Sequence, residues 1–313
     1  MAVIITGGCG FIGSRLAAKF AADGREVLAV DFAEPSDLVK SMWNDRIHFV
    51  QCDISDKERV AGIVKDAGDK DEILHLAAIL TAGADTNPSR AVEINIGGFV
   101  NLIDPIREHE GRRILLASTI GVYGRGLPQP INETMPTEPD GWYGVTKICD
   151  EEIGLLAARR YGVDFRAARM AAVAGPNRVA KGSASMFVSM IPEKPAKGEP
   201  YAIEVSEDTS YPAVYIEDAV DGLYTIITAP EAPSRIYNLA SGNAVVAEMV
   251  KLVKERIPDA QLSYDPDPNI MSVVSGYKEW EIDCSLAEKE LGWTPKYKLP
   301  EMVADIMEKA AGR

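Results

Sequence analysis

Over the first 169 residues, short β-branched runs alternate with longer stretches of helical spacing, and few folds accept that order. Residues 2–6 (AVIIT), 26–31 (EVLAVD), 47–51 (IHFVQ), 72–76 (EILHL), 112–118 (RRILLAS) and 163–169 (VDFRAAR) are predicted strands. Residues 11–23, 56–67, 88–109 and 143–161 carry apolar side chains three and four apart and are predicted helices. Strands joined in this way pair in parallel, and the crossover helices cover both faces of the sheet. The fold class is therefore α/β, a doubly wound parallel sheet. Beyond Arg169 the alternation stops; 171–211 is rich in Gly, Pro and small residues, and shorter elements follow. The expected division is a first domain over 1–170, with further core strands and helices returning from about 212–242, and a smaller discontinuous lobe mainly from 171–313.

The first strand runs into Thr6-Gly7-Gly8-Cys9-Gly10-Phe11-Ile12-Gly13, which opens a helix. In such a turn Gly7 allows the sharp reversal, Gly10 lets a diphosphate approach the backbone, and Gly13 lets helix and strand pack closely. A diphosphate placed there meets the free N–H groups and positive end of the helix. Asp31 ends the second strand, where a carboxylate can accept both hydroxyls of an adenosine ribose and repel a 2′-phosphate. The next residues are Phe32, Ala33 and Glu34, with no arginine, so NAD is expected over NADP. Asp53, after the third strand, is placed either to contact adenine or to cap a helix.

Tyr143-Gly-Val-Thr-Lys147 puts a phenol and an ammonium one helical turn apart on one face. A free tyrosine, with a pKa near 10, is a poor base at neutral pH; a nearby cation favours its phenolate. The lysine can also hold the nicotinamide ribose. Ser118 and Thr119 sit at the carboxyl end of a predicted strand, the edge where ligands bind in a doubly wound sheet, and either hydroxyl can meet a substrate oxygen.

The remaining composition narrows the partners. With 47 acidic against 33 basic residues the formal charge is -14, which argues against nucleic acid and anionic membrane. No apolar run is long enough to span a bilayer, and the N-terminus lacks a signal peptide's basic region. Cys9, Cys52, Cys149 and Cys284 follow no metal or disulfide pattern, and His48, His75 and His109 have no ligand spacing; free thiols, a cytoplasmic location and no metal site are expected.

Taken together, TGGCGFIG, His75-Leu-Ala-Ala78, Asn95, STIGVYG at 118–124, YGVTK, Tyr237-Asn-Leu-Ala-Ser-Gly242 and Leu291-Gly-Trp-Thr-Pro295 resemble the extended short-chain dehydrogenase/reductases. That family contains NAD-dependent epimerases, dehydratases and dehydrogenases on a Rossmann-type sheet. The resemblance spans nearly the whole chain. It implies a catalytic triad of Thr119, Tyr143 and Lys147, with Ser118 as the alternative hydroxyl. It further implies cofactor contacts from Phe11, Ile12, Ile54, Leu76, Ala77, Ala78 and Asn95, and a homodimer through helices 88–109 and 143–161.

Nucleotide-sugar branches of the family carry an Asn and two arginines that this chain lacks. Ala172 and Tyr211 hold two of those positions, and no arginine lies between Arg256 and Arg313. The chain instead resembles short-chain-type L-threonine dehydrogenases in AAILTAGADTNPSRAVEINIGG, RRYGVDFR, EDTSYPAVYIEDA, RIPDAQLSY and GWTPKYKL. It departs from them where a paired threonine would lie, at Ser183-Ala184-Ser185, and in the position of Trp280. GPNRVAKGSASMF is similar to sugar-acid dehydrogenases of the D-erythronate type, in which Arg178 or Lys181 could meet a carboxylate. The resemblance implies a small polar substrate bordered by Thr81, Ser118, Thr119, Tyr143 and Ser183.

Overall fold

The computed structural model describes residues 2–66, 72–108, 111–179 and 183–312. All six expected strands form: β1 Ala2–Thr6, β2 Glu26–Asp31, β3 Ile47–Gln51, β4 Glu72–His75, β5 Arg113–Thr119 and β6 Asp164–Met170. With Ile236–Leu239 they make a seven-stranded sheet in the order Ile236–Leu239, β6, β5, β4, β1, β2, β3. The pairs β1/β2, β1/β4, β2/β3 and β4/β5 run parallel. This is the Rossmann-type α/β fold.

The chain forms two units. The first comprises Met1–Tyr123, Thr137–Arg169 and Val220–Tyr237. Its core includes Ile4, Val30, Ile73, Ile114 and Leu116 from the strands, packed with Val60, Val64, Phe99, Leu102 and Ile106 from the covering helices. The helices Gly13–Ala22 and Lys57–Asp66 lie inside the expected stretches. Two short helices were not expected, Asp37–Met42 and Thr81–Thr86; Ser36 caps the first by accepting from the Val39 N–H.

Residues 88–109 do not form one regular helix. The helix runs without a break but changes type, α-helical at Pro88–Ala91, π-helical at Val92–Gly97 and α-helical at Gly98–Ile106; His109 lies outside the described residues. A π-helical turn inserts a residue and re-aims a side chain. Here it lies where Asn95 is buried and bonded to two other elements.

The second unit comprises Gly124–Pro136, Met170–Ala219 and Asn238–Arg313. It holds a three-stranded sheet, Gly242–Val245 beside Ser210–Tyr215 beside Ala172–Ala174, and the parallel pair Tyr201–Ile203 with Leu262–Tyr264. Several family-like motifs brace this unit. Asp218 accepts from the N–H groups of Lys296 and Tyr297 and from Ser241, and the Trp293 indole donates to its carbonyl. Asn238 reaches the carbonyls of Ile131 and Asp283. Each ties segments far apart in sequence, and a buried polar group that is fully bonded specifies one arrangement of them.

Candidate active site

The glycine loop packs too closely against the surrounding backbone to accept side chains. Gly7 has φ +68°, and a Cβ there would come within 2.9 Å of the Ala77 nitrogen. A Cβ on Gly13 would overlap the Gly7 carbonyl, whereas one on Gly10 would only crowd it at 3.1 Å. Gly10 N–H bonds back to the Gly7 carbonyl at 3.0 Å, and the helix beginning at Gly13 has no side-chain cap. Its Ser14 and Arg15 N–H groups bond back to the Gly10 and Ile12 carbonyls, so the first turn grows directly out of the loop that holds Phe11 and Ile12. Asp31, at the end of β2, accepts from Cys9 N–H at 3.1 Å and Ala33 N–H at 3.2 Å. These bonds hold its carboxylate next to the glycine loop.

The other expected cofactor positions differ in how free they are. Asp53 accepts from the Ser55 N–H and hydroxyl and pairs with Arg90 at 3.3 Å; the bond from Ser55 is the main reason its carboxyl titrates low. It forms a local turn and does not cap the helix Lys57–Asp66; Asp56 does, accepting from the Arg59 N–H. Ile54 is buried against Gly98. Leu76 and Ala77 follow β4, their N–H groups bonded to the Thr6 carbonyl and hydroxyl, with Ala78 next in the same half-buried loop. Asn95 is wholly internal: it bridges the Ile79 backbone, donating at 3.1 Å and accepting at 2.8 Å, and donates to Thr146 at 3.0 Å. It ties the loop after β4 to the long helix Trp142–Tyr161.

That helix carries Tyr143 and Lys147. Gly144 lets its first turn press against the segment after β5, since a Cβ there would overlap the Gly121 carbonyl. Thr119 ends β5 and accepts from the Gly121 N–H at 3.0 Å, a bond that leaves its own hydroxyl hydrogen unused. Ser118 is drawn elsewhere. Its buried hydroxyl donates to Glu151 at 2.5 Å; Glu151 takes a forked pair of bonds from Arg169, whose guanidinium also donates to the Tyr123 hydroxyl. Thr119 is the hydroxyl left open on this edge. Thr81, half-buried, starts the short helix Thr81–Thr86.

The charge balance differs from the sequence expectation. Lys147 was expected to draw the Tyr143 pKa down. In the structure burial pushes it up, and the nearby charge of Asp150 adds to the rise. Lys147 itself is only 1% exposed; burial lowers its pKa, and its ammonium lies 5.9 Å from the centre of the Tyr143 ring. It makes no hydrogen bond to a described residue. A buried ammonium short of acceptors fits a cofactor hydroxyl, and the glycine cradle fits a diphosphate. The residues present thus suit NAD.

In the second unit Arg178 donates to the Ser185 carbonyl and to the Ser183 and Ser185 hydroxyls at 2.9–3.2 Å. Burial lowers its pKa to about 10, against the opposing influence of Tyr211. Lys181 and Gly182 lie outside the described residues. All four cysteines are free. Among the described residues no helix is long and apolar enough to cross a membrane, and no three His, Cys, Asp or Glu side chains gather.

Sequence reasoning missed Glu151 and Asp150. The signal was present in helical spacing: Glu151 follows Lys147 by one turn, and Asp150 follows by three residues.

The model of the NAD dependent epimerase/dehydratase family matches residues 3–240. An uncharacterised epimerase/dehydratase of Staphylococcus saprophyticus is 29% identical, over 99% of this chain and 97% of its own length. The L-threonine dehydrogenase of Clostridium difficile superposes with a TM-score of 0.90 at 26% identity, covering 99% of this chain and 98% of its own. UDP-glucose 4-epimerase of Thermotoga maritima, solved with UDP-glucose, superposes with a TM-score of 0.86, also at 26% identity, over 98% of both chains.

Proposed function

This chain belongs to the NAD-dependent epimerase/dehydratase family, with NAD as its cofactor, and on that premise we propose that it oxidises a secondary alcohol in a small polar substrate. The substrate class is a 3-hydroxy amino acid such as L-threonine, or a sugar acid. The observation that carries the reading is that Thr119, Tyr143 and Lys147 lie in the same unit as the glycine loop, to which Asp31 is hydrogen-bonded.

In this reading Gly7, Gly10 and Gly13, with Phe11 and Ile12, hold the diphosphate. Asp31 accepts the adenosine ribose hydroxyls, and Lys147 donates to the other ribose. NAD supplies the acceptor for the hydride that leaves the substrate carbon. Thr119 donates to the substrate oxygen and fixes its direction, and Tyr143 takes the hydroxyl proton. Thr81 and Ser183 border the substrate's remaining atoms. Ser118 serves indirectly, by holding Glu151 behind the strand edge.

A nucleoside diphosphate needs charged donors for its two phosphates. Ala172 and Tyr211 stand where the nucleotide-sugar branches have polar or charged contacts. Arg178 bonds to hydroxyls and a carbonyl, a setting in which its charge is available to a carboxylate. Titration calorimetry on NAD-loaded protein tests this: UDP, UDP-sugars and dTDP-sugars are expected to bind no better than about millimolar. Micromolar binding of any of them would replace this reading with a nucleotide-sugar epimerase or dehydratase.

We place the protein in the cytoplasm as a homodimer. The long helix buries polar and small residues, Thr146, Lys147, Asp150, Glu151 and Gly154, and exposes Trp142, Val145 and Leu156 at 47%, 41% and 42%. Val92 is similarly exposed at 41%. These apolar side chains, with the exposed Glu152, Arg159 and Arg160 on the same helix, suit a second copy of the same surface.

A further inference from the structure

Tyr143, Lys147 and Asp150 lie at i, i+4 and i+7 of one helix, a spacing that stacks them on one face. Asp150 is completely shielded from solvent, and its Oδ2 lies 3.5 Å from the Lys147 ammonium. Neither its carboxylate oxygens nor that ammonium makes a hydrogen bond to a described residue. A buried carboxylate without donors costs stability, and an apolar side chain of similar size is cheaper to bury. Glu151, next in sequence, shows the contrast: Ser118 and Arg169 satisfy it. What Asp150 does reach is charge, that of Lys147 and, through it, the ionisation of Tyr143.

Resting on the Thr119–Tyr143–Lys147 reading, we propose that Asp150 is a positioning residue that sets the operating pH of the Tyr143–Lys147 pair. When ionised it offsets the ammonium and withholds from Tyr143 the cation that favours its phenolate; when protonated it releases that cation. Burial, partly opposed by Lys147, raises the Asp150 carboxyl to about 7, so the exchange falls within the physiological range.

The Glu151 charge also acts on Lys147, as the smallest of its influences, but Glu151 is held by Ser118 and Arg169. From β4, His75 is buried, bonded through Nδ1 to the Thr6 hydroxyl at 2.8 Å, and held neutral by burial and by the charge of Lys147. From β6, the Arg169 charge is spent on Glu151. Asn95 and Thr146 are neutral, and the Cys149 thiol is pushed up by burial and by Asp150. On the flanking helical segments, Arg90 pairs with Asp53 and Glu93, Asp104 with Lys57 and Arg107, and Asp85 accepts from the Trp142 N–H.

The test is tyrosinate absorbance against pH in protein without NAD, with Tyr143 isolated by subtracting a Tyr143→Phe partner in each background. Asp150→Asn is expected to lower the Tyr143 ionisation by about one pH unit or more, which is about a tenfold change in its acidity. Asp150→Val, which removes the charge together with its unbonded oxygens, should do the same. Asp150→Glu should restore the original titration. The rising limb of the pH–rate profile should move with the titration in every variant. Tyr143 titrating at one pH in the original protein, Asp150→Asn and Asp150→Val would overturn the proposal, and so would Asp150→Glu behaving like Asp150→Asn. Because the titration needs neither substrate nor NAD, it decides the role of Asp150 even if the proposed oxidation fails.

Discussion

In the proposed function Tyr143 loses and regains a proton, yet the fold surrounds it with conditions that favour the neutral phenol. Burial is the larger cause and Asp150 the smaller. The proposed function therefore requires the cation on Lys147 to count most when the site is loaded. Tyr143→Phe deletes the ionisable oxygen and little else, so turnover should fall by at least about a hundredfold, the usual scale of a lost general acid–base group. NAD affinity, read by fluorescence or calorimetry, should stay within about threefold. A residual rate within tenfold of the original would place the base on another residue. Candidate residues could be proposed from the sequence wherever chemistry constrains spacing, as for the glycine loop, Asp31 and Tyr143/Lys147. Family position put Thr119 ahead of Ser118, but the sequence held no physical reason for that order. That choice depends on Glu151 and Arg169, which come from the long helix and β6 to meet Ser118.

At the level of elements, the six strands follow from β-branched runs, and their parallel order follows from the crossovers between them. Helical periodicity served less well. The stretch 88–109 is apolar at helical intervals, but it contains a π-helical turn because Asn95 bonds inward to Ile79 and Thr146. The long helix departs from the usual pattern, with Lys147, Asp150 and Glu151 inside, and Trp142, Val145 and Leu156 outside among the exposed Glu152, Arg159 and Arg160. An amphipathic reading assigns such faces the wrong way round, since only partners distant in sequence make an inward Lys, Asp and Glu tolerable. The placement of this helix depends on Gly144, which lies against the Gly121 carbonyl and the Pro139 ring. Gly144→Ala should push the first turn away from Thr119. The expected outcome is a loss of turnover of about a hundredfold, since small misplacements of reacting groups have large effects. The change in stability should stay near the 1–3 kcal/mol typical of overpacking. Turnover within threefold of the original would show that the approach of helix to strand does not matter to the reaction.

For the molecule as a whole, the outer face of the long helix bears on assembly. Val92, Trp142, Val145 and Leu156 are large apolar side chains exposed on the first unit. Light scattering should give twice the mass of the 33.9 kDa chain. Val145→Glu with Leu156→Glu should return the mass of one chain, because two carboxylates would then be buried without partners. A single-chain mass in the original protein would remove the dimer. The family and fold leave the direction of the chemistry open, since L-threonine dehydrogenase and UDP-glucose 4-epimerase superpose almost equally well on this chain. The difference lies in where the hydride ends: a dehydrogenase consumes NAD, and an epimerase returns the hydride to its substrate. The decisive measurement is net NADH formation by purified protein supplied with NAD and, separately, 3-hydroxy amino acids, aldonates and nucleotide sugars. Steady accumulation of NADH with one of the small hydroxy acids, and none with the nucleotide sugars, is the predicted result. Conversion of a nucleotide sugar to its isomer with no net NADH, and no NADH from any small hydroxy acid, would contradict it.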